Sequence, residues 1–173
     1  MKKLYILIIV IFFISCKSTF VTNDNSNINT SANLYAFIGE KISVTEFNPN
    51  RKNKRIEIDS ITGDTIRYVS FVMDLGFNNK YKVLKNVFNK IEGDTINFVA
   101  YNHYGRPGFE NYKHVILYLS KDKKSGAFYH QKYQFDPVKK SKNGIWKGLK
   151  GQSIQKLFNK KKEGVLGARG IFD

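Results

Sequence analysis

Cysteine and acidic residues are scarce in this sequence of 173 residues. Cys16 is the only cysteine, so the chain forms no internal disulfide, and this excludes thiol catalysis and cysteine-based metal sites from the body of the protein. Fourteen acidic residues stand against 29 lysines and arginines, and the resulting net charge of +15 attracts polyanions over long range. The hydrophobic content of 42% is enough for one domain to build a core without disulfides.

Local motifs of catalysis are absent from the sequence as well. It has no Gly-x-Ser-x-Gly nucleophile motif, no glycine-rich phosphate loop and no dinucleotide-binding fingerprint. The acidic residues are spread singly, and Asp64 and Asp94 each follow a glycine, which is typical of turns rather than of a catalytic pair. We therefore predict no cofactor and assign no catalytic residue.

The histidines offer one route to a metal site. None of His103, His114 and His130 has the His-x-x-x-His or Glu-x-x-His spacing that places two ligands on one helix face. If the strands on either side of residues 105–108 pair, His103 and His114 approach each other, with Asp74 or Glu110 as a third ligand. Isolated histidines in tyrosine-rich strands are usually structural, so we predict no metal site.

The first sixteen residues have the pattern of an export signal. Lys2 and Lys3 precede an uninterrupted apolar run over 4–14, which is shorter than the roughly 20 residues that a membrane-spanning helix needs. The segment Phe13-Ile14-Ser15-Cys16 resembles the lipobox of bacterial lipoproteins, although that family usually has leucine at the position of Phe13. The resemblance implies cleavage after residue 15, a diacylglycerol thioether on Cys16 and acylation of its new amino group.

The same resemblance sets the expected location and partners. Lys17 follows the cysteine and no acidic cluster comes after it, which in this family implies the outer membrane, at its periplasmic face. The membrane, reached through lipidated Cys16, is then the first partner, and nucleic acid is not expected. An envelope protein or a polyanionic glycan or lipid is a further candidate partner. A buried N-terminal helix, a single membrane anchor or an ordinary secreted protein with a free thiol are the alternatives.

Residues 16–33 are rich in serine, threonine and asparagine and predict a flexible tether, and residues 34–173 predict one globular domain. Strand-like segments follow one another without intervening helices, which favours a mainly β fold: a single antiparallel β-barrel or sandwich. Gly39 is expected to be a bulge or a bend within the first strand, and residues 76–79 are expected to form a turn. The predicted strands are 35–47, 55–61, 67–74, 80–89, 95–104, 114–120 and 127–135.

The C-terminal part has a different composition. Residues 136–151 are rich in lysine and glycine around the lone Trp146. Ser153 is a suitable N-cap for one short helix over 153–160, and residues 163–173 are expected to fold back on the domain or to stay loose.

Residues 63–71 and 93–101 are similar, since each begins with Gly-Asp-Thr-Ile and continues with aromatic and small residues. The match indicates either a duplicated hairpin or two independent uses of a common strand entry.

Residues 36–120 resemble the netrin-like domain of the tissue inhibitors of metalloproteinases, an OB-type barrel. The resemblance depends on three phrases and on the Gly-Pro loop at 105–108: Phe37-Ile38-Gly39-Glu40-Lys41, the strand at 81–87 followed by Gly93-Asp94-Thr95-Ile96, and the strand at 112–118. It implies a barrel. The framework cysteines of that family are missing here and Cys16 is separated from the domain, so the resemblance does not imply protease inhibition.

Binding is expected at the loop over 102–112, where aromatic residues and an arginine meet tight-turn residues at the end of two strands. The alternative is a packed hairpin whose aromatic residues close the barrel end. Trp146 beside Lys147 and Lys150 is a second candidate, with a core position as its alternative. The candidate binding residues are His103, Tyr104, Arg106, Phe109, Tyr112 and Trp146.

These observations favour a lipid-anchored envelope protein that acts as a binding or interaction module. An envelope hydrolase with its site in the barrel mouth, where one of the histidines lies near a carboxylate, is an alternative. A structural subunit of a larger envelope complex is another. The sequence fixes neither the ligand nor the oligomeric state.

Overall fold

The computed structural model of the protein describes residues 28–51 and 53–172, with the backbone but not the side chain of Lys54. The predicted signal peptide over residues 1–15 and the predicted lipidation site Cys16 lie outside the described residues. The elements within the described part are β1 (Tyr35–Phe47), β2 (Lys54–Ile58), β3 (Thr65–Val69), β4 (Leu75–Phe88), β5 (Thr95–Asn102), β6 (His114–Lys121), β7 (Phe128–Lys140), β8 (Trp146–Gly148) and α1 (Ile154–Lys161).

Five of the strands close into a ring. The six-stranded sheet has the order β5-β4-β1-β6-β7-β8, and each of these neighbouring pairs is antiparallel. A short parallel pairing of β5 with β7, at Phe98–Phe128 and Val99–Tyr129, completes the ring. The predicted fold class, a mainly β antiparallel barrel with one short C-terminal helix, is confirmed. The ring order β1-β4-β5-β7-β6 corresponds to a five-stranded Greek-key barrel of the OB type.

Strand β1 bends, and the outward side chains of its two halves lie on different sides of the barrel. Its pairing with β4 shifts register between Ile38 and Gly39 and again between Lys41 and Ser43. Such bulges bend a strand and increase its twist. A Cβ atom on Gly39 would lie 2.8 Å from the ring of Phe37, so a larger residue would displace that core side chain. The predicted bulge does not lie at Gly39 itself, because the extra residue at that shift is Leu84 of β4 and Gly39 pairs in regular register with Val115 of β6. The extra residue of β1 is Ile42.

The barrel interior holds the first apolar core. Its residues alternate along the strands with outward-facing polar ones, as the period of a strand requires. Burying each large apolar side chain contributes about 1.5–3 kcal/mol, so this cluster is a main source of barrel stability. The buried residues are Phe37, Phe77, Tyr81, Ile91, Ile96, Phe98, Ala100, Phe109, Val115, Leu117 and Leu119.

A second core lies between the outside of the barrel and the C-terminal segment. Helix α1 places Phe158 in a stacked arrangement with Phe88, with ring centroids 5.1 Å apart. Leu166 is fully buried and Phe172 packs edge-on against Phe88, so the C-terminal segment folds back on the domain. As predicted, Ser153 is the N-cap of α1, and its hydroxyl accepts a hydrogen bond from the Lys156 amide.

Residues 137–172, which we call the C-terminal layer, cover only part of the barrel surface. The second core consists of Ala32, Leu34, Ala36, Ile38, Val87, Phe88, Ile116, Tyr118, Val138, Phe158 and Leu166. These residues come from the first half of β1, the second half of β4, and β6 and β7. The outward side chains on the second half of β1, the first half of β4 and β5 do not belong to this core.

Two predicted strand boundaries are wrong. Residues 76–79 do not form a turn, because β4 runs through them and pairs with β1 on one side and β5 on the other. Residues 70–74, predicted as strand, lie after the end of β3. Glycine and asparagine at 76–79 are typical of turns, but hydrogen bonding to two neighbouring strands holds them extended.

Strands β2 and β3 form a separate hairpin, which we call the arm. Asn50 closes its base, because its side-chain amide donates to the Val72 carbonyl and accepts from the Val72 amide. The arm carries exposed apolar side chains, among them Ile56, Ile58 and Val69.

The two similar segments share a turn but not an environment. Gly63 and Gly93 both have positive φ angles, 75° and 87°, and each precedes a strand. Strand β3 is exposed along its whole length, whereas β5 alternates between the barrel core and solvent. The similarity therefore extends to local structure only.

The last residues of the predicted tether lie against the barrel. The Asn29 amide donates to Oδ1 of Asn89 at 2.8 Å, and the Asn89 side-chain amide donates to the carbonyls of Asn29, Ala32 and Leu34. Asn33 hydrogen-bonds the backbone of Lys121 through both its side-chain oxygen and nitrogen. Within residues 28–51 and 53–172, no helix is long and apolar enough to cross a bilayer.

Candidate ligand-binding face

Phe109, predicted as a binding residue, is a core residue instead. It lies in the 3-10 turn Gly108–Asn111, is only 1% exposed, and contacts the rings of His130, Tyr81 and Phe135 with centroid distances of 4.7, 6.0 and 6.2 Å. This ring closes one end of the barrel. The alternative of a packed loop with aromatic residues at the barrel end therefore holds for Phe109.

Arg106 is engaged within the protein. Its guanidinium forms a two-pronged ion pair with Glu110, at 2.6 and 2.8 Å, and donates to the Val44 carbonyl at 3.1 Å. It also lies over the ring of Phe77. Hydrogen bonding to Glu110 raises the pKa of Arg106 above its ordinary value. These contacts fix the loop, while about half of the Arg106 side chain stays exposed.

His103 and Tyr104 form a small polar cluster with residues that precede β4 and lie within β7. Nδ1 of His103 lies 3.2 Å from Oδ1 of Asp74, and Nζ of Lys132 lies 2.7 Å from the other oxygen of that carboxylate. Hydrogen bonding to Lys132 lowers the pKa of Asp74. Tyr104 packs edge-on against His103 and is 82% exposed, so it is the freest aromatic residue of the loop.

Tyr112 and Trp146 are partly buried. Tyr112 packs against Phe135, and Trp146 packs against the second core and against His114, with Lys140 over its ring.

The histidines stay apart from one another. His114 lies near Glu40, with 3.8 Å between Nε2 and Oε1, while His103 contacts Asp74. His130 is buried, and Nε2 lies 2.7 Å from the Gln134 carbonyl oxygen. Burial lowers the pKa of His130 to about 4. Among the described residues, no group of three histidine, cysteine or acidic residues is placed to hold a metal ion.

The uncovered side of the barrel has a more regular arrangement. In register, Ser43 lies opposite Lys80 and Lys80 opposite Asn97, which makes one row of side chains across β1, β4 and β5. Two residues further along, a second row has Thr45, Asn78 and Val99. Alternation along the strands directs both rows outward. We call this surface the open face.

A third row closes one end of the open face with aromatic side chains. Phe47 lies opposite Gly76, and Gly76 lies opposite Tyr101. The ring of Phe47 occupies the space above Gly76, where a Cβ atom would come within 2.5 Å of it, and packs edge-on against Tyr101. The glycine that resembled a turn residue is thus the position that lets two aromatic rings meet across three strands.

A cavity of about 600 Å³ lies along the open face. Besides the two central rows, it is lined by Asn79 and Phe98, by Gly126 and Ala127 of the β6–β7 turn, and by Phe128 at the start of β7. Ligand-sized concavities of this kind generally carry a few directed polar groups. In OB-type barrels, the face of the second and third ring strands and the two loops beside it, here the arm and the β6–β7 turn, is the usual ligand site.

Asn79 lines this cavity and has an unmatched polar atom. It is 3% exposed, and its amide nitrogen donates to the carbonyls of Phe77 and Phe98. Its Oδ1 atom is buried without a hydrogen-bond partner. An unsatisfied buried acceptor costs about 1–3 kcal/mol. Asn79 alternates with Asn78 and Lys80 along β4, so its side chain points into the barrel and not toward the open face.

Charge on the open face is positive. Lys80 lies in the central row, and Lys82 lies one row further along, where Glu40 is the residue opposite it. Neither lysine has a carboxylate oxygen within 4.0 Å among the described residues. The alternating pattern Asn78, Lys80, Lys82 in β4 was the signal in the sequence. The predicted turn at 76–79 hid it, because a turn ends the alternation.

Comparison of the chain with protein-family models, with curated proteins and with solved structures finds no match. The resemblances to lipoproteins and to netrin-like domains therefore stay predictions.

Proposed function

We propose that this protein is a non-enzymatic binding module of the bacterial envelope, anchored by lipidated Cys16, whose open face binds an acidic glycan strand. The observation that carries the proposal is the open face itself: three aligned rows of side chains beside a 600 Å³ cavity. The C-terminal layer leaves this side of the barrel uncovered, while it buries the first half of β1. An elongated ligand lying across the strands would meet every row.

The chemistry of the rows favours sugars. Ser43, Thr45, Asn78 and Asn97 offer hydroxyl and amide groups that both donate and accept, which matches the hydroxyl groups of a glycan. Lys80 adds a positive charge that suits a carboxylate or phosphate on the sugar.

Single-stranded nucleic acid fits the face less well. Proteins that bind single strands stack successive bases on aromatic side chains. The two central rows have no aromatic residue, and Phe47 and Tyr101 are packed against each other at one end. Two rings at an end can stack against one sugar, but they provide no platform for a run of bases.

Calorimetric titration of residues 17–173 with an oligogalacturonate, an acidic sugar chain, tests the open face. Loss of a hydrogen bond to a charged group costs about 1.5–3 kcal/mol, so Lys80→Gln is expected to weaken binding about tenfold or more. Asn78→Ala and Asn97→Ala are expected to weaken it by smaller factors. A neutral maltooligosaccharide and a single-stranded oligothymidylate serve as comparison ligands.

Lys85→Gln is the matched control, because Lys85 is an exposed lysine of the same strand beyond the rows. Its titration should equal that of the wild type. The proposal fails if no acidic oligosaccharide binds, or if Lys85→Gln weakens binding as much as Lys80→Gln. If the oligothymidylate binds more tightly than the oligogalacturonate, the ligand of the open face is a single-stranded nucleic acid and not a glycan.

Anchoring is tested separately on the full-length chain expressed in bacteria. Intact mass and membrane fractionation of the wild type are compared with those of Cys16→Ala. Wild-type protein should carry acyl mass and fractionate with the outer membrane, whereas the variant should do neither. Equal, unacylated behaviour of both proteins would overturn the lipoprotein part of the proposal.

A further inference from the structure

The C-terminal layer concentrates unbalanced positive charge. Residues 137–162 contain nine lysines and no acidic residue. They form the end of β7, the short strand β8 and helix α1. None of the nine lysines has a carboxylate oxygen within 4.0 Å in the described part of the chain. The lysines are Lys139, Lys140, Lys142, Lys147, Lys150, Lys156, Lys160, Lys161 and Lys162.

The strand pairing places like charges directly opposite each other. Lys139 lies opposite Lys147 in the β7–β8 pair. Like charges at directly opposed positions destabilise an antiparallel pair. Lys150, Lys156 and Lys160 line one open cleft of about 1150 Å³ between β8 and α1, where Asp136 and Glu163 are the only carboxylates among the lining residues. Asp136 is itself occupied, since its Oδ2 accepts the Tyr118 hydroxyl at 2.7 Å.

Two exposed aliphatic side chains lie among these lysines. Ile145 is 57% exposed in the turn between β7 and β8, and Leu149 is 50% exposed in the turn between β8 and α1. Trp146 lies between them in sequence, with the ammonium of Lys140 over its ring. Lysines beside protruding aliphatic residues are typical of surfaces that rest in the headgroup layer of a membrane.

We infer that residues 137–162 of the C-terminal layer are a docking surface for an anionic phospholipid bilayer. Exposed lysines of this segment meet lipid phosphates, and Ile145 and Leu149 enter the boundary between headgroups and acyl chains. This inference does not rest on the glycan site, because residues 137–162 belong to β7, β8 and α1, whereas the rows of the open face belong to β1, β4 and β5. A domain seated this way keeps the open face available.

The composition favours a bilayer over nucleic acid. The segment contains lysine and no arginine, and arginine is the residue that pairs with phosphate in a two-pronged geometry and reads guanine. Exposed isoleucine and leucine give nothing to a nucleic acid backbone, but each adds apolar burial in a membrane.

Flotation of residues 17–173 with phospholipid vesicles tests the inference. Both apolar cores are built from residues within 32–172, so this chain contains the whole fold. It should bind vesicles of phosphatidylcholine with phosphatidylglycerol, and not vesicles of phosphatidylcholine alone. Each lysine near an anionic surface contributes about fivefold to binding, so Lys139→Gln/Lys140→Gln/Lys142→Gln/Lys147→Gln should lower the partition coefficient on the order of several hundred-fold.

The matched control removes four charges from exposed lysines elsewhere, as Lys85→Gln/Lys90→Gln/Lys123→Gln/Lys124→Gln. It has the same net charge as the first variant and should retain near wild-type vesicle binding. A third variant, Ile145→Ser/Leu149→Ser, removes apolar contacts that salt does not screen. It should therefore weaken the part of vesicle binding that remains at high salt. Circular dichroism confirms that each variant is folded.

Equal losses in the two lysine variants would show attraction by net charge alone and overturn the inference. Absence of binding to phosphatidylglycerol vesicles would overturn it as well, and so would preferential binding of duplex DNA through the same four lysines. Titration of the first variant with oligogalacturonate separates the two surfaces, since its affinity for the glycan should be unchanged.

Discussion

Replacing Phe109 with alanine should unfold the barrel more easily rather than remove a ligand contact. The Phe109 ring is enclosed by aromatic rings of β4, β5 and β7. Truncation of a buried phenylalanine costs about 3–5 kcal/mol of unfolding free energy, through lost burial and the cavity left behind. For a domain of about 150 residues, each kcal/mol lowers the Tm by about 2–4 °C, so we expect a fall of roughly 10 °C.

Differential scanning calorimetry of residues 17–173 measures the effect. Tyr104→Ala is the matched control, because it removes an exposed aromatic ring of the same loop and should change stability by less than about 0.5 kcal/mol. Phe109→Leu should lose less than Phe109→Ala, since leucine refills part of the volume.

The expectation is refuted if Phe109→Ala unfolds within about 2 °C of the wild type, because removing a closely packed core ring costs more unfolding free energy than that shift represents. Such a result would indicate that Phe109 lies on the loop surface, as the sequence pattern predicts.

Two further predictions concern buried polar groups. Burial lowers the pKa of His130 to about 4 from an ordinary value of 6.5, so between these values the unfolded chain binds a proton that the folded chain does not, and stability falls as the pH falls, by about 3 kcal/mol. Urea unfolding at about pH 7 and pH 4 should show a smaller loss for His130→Gln than for the wild type, and equal losses would contradict this account. Asn89→Ala removes the hydrogen bond from the Asn29 amide and three to the carbonyls of residues 29, 32 and 34, and it should cost about 2–3 kcal/mol with faster amide exchange at Asn29. Unchanged exchange at Asn29 would show that other contacts hold the segment.

Local chemistry was enough to predict several elements. Strand β6 was recognisable as a short run of apolar, β-branched residues, and it is buried on both faces. The N-cap of α1 was predicted because a serine hydroxyl satisfies a free helix amide over a distance of three residues. Each of these features depends on contacts within a few residues, which a sequence pattern records.

Other features depended on partners far away in the chain. The 76–79 segment has turn residues, yet β1 and β5 hold it extended, and its glycine is required by the ring of Phe47. The loop over 102–112 has the composition of a binding loop, but the open barrel end takes up Phe109 and Glu110 binds Arg106. In both cases the competing interaction comes from the fold, so the segment alone gives no sign of it.

The sequence by itself determined that this is a basic, cysteine-poor, mainly β protein, because charge and the alternation of strands depend on the type of each residue and its near neighbours. Only the tertiary structure decided where the ring closes and which surface stays free. The β5–β7 pairing joins residues thirty positions apart, at Phe98 and Phe128, and the C-terminal layer then covers one side of the barrel and leaves the other open. The open face exists because three strands align in register, and a register between distant strands is set by packing rather than by any local pattern.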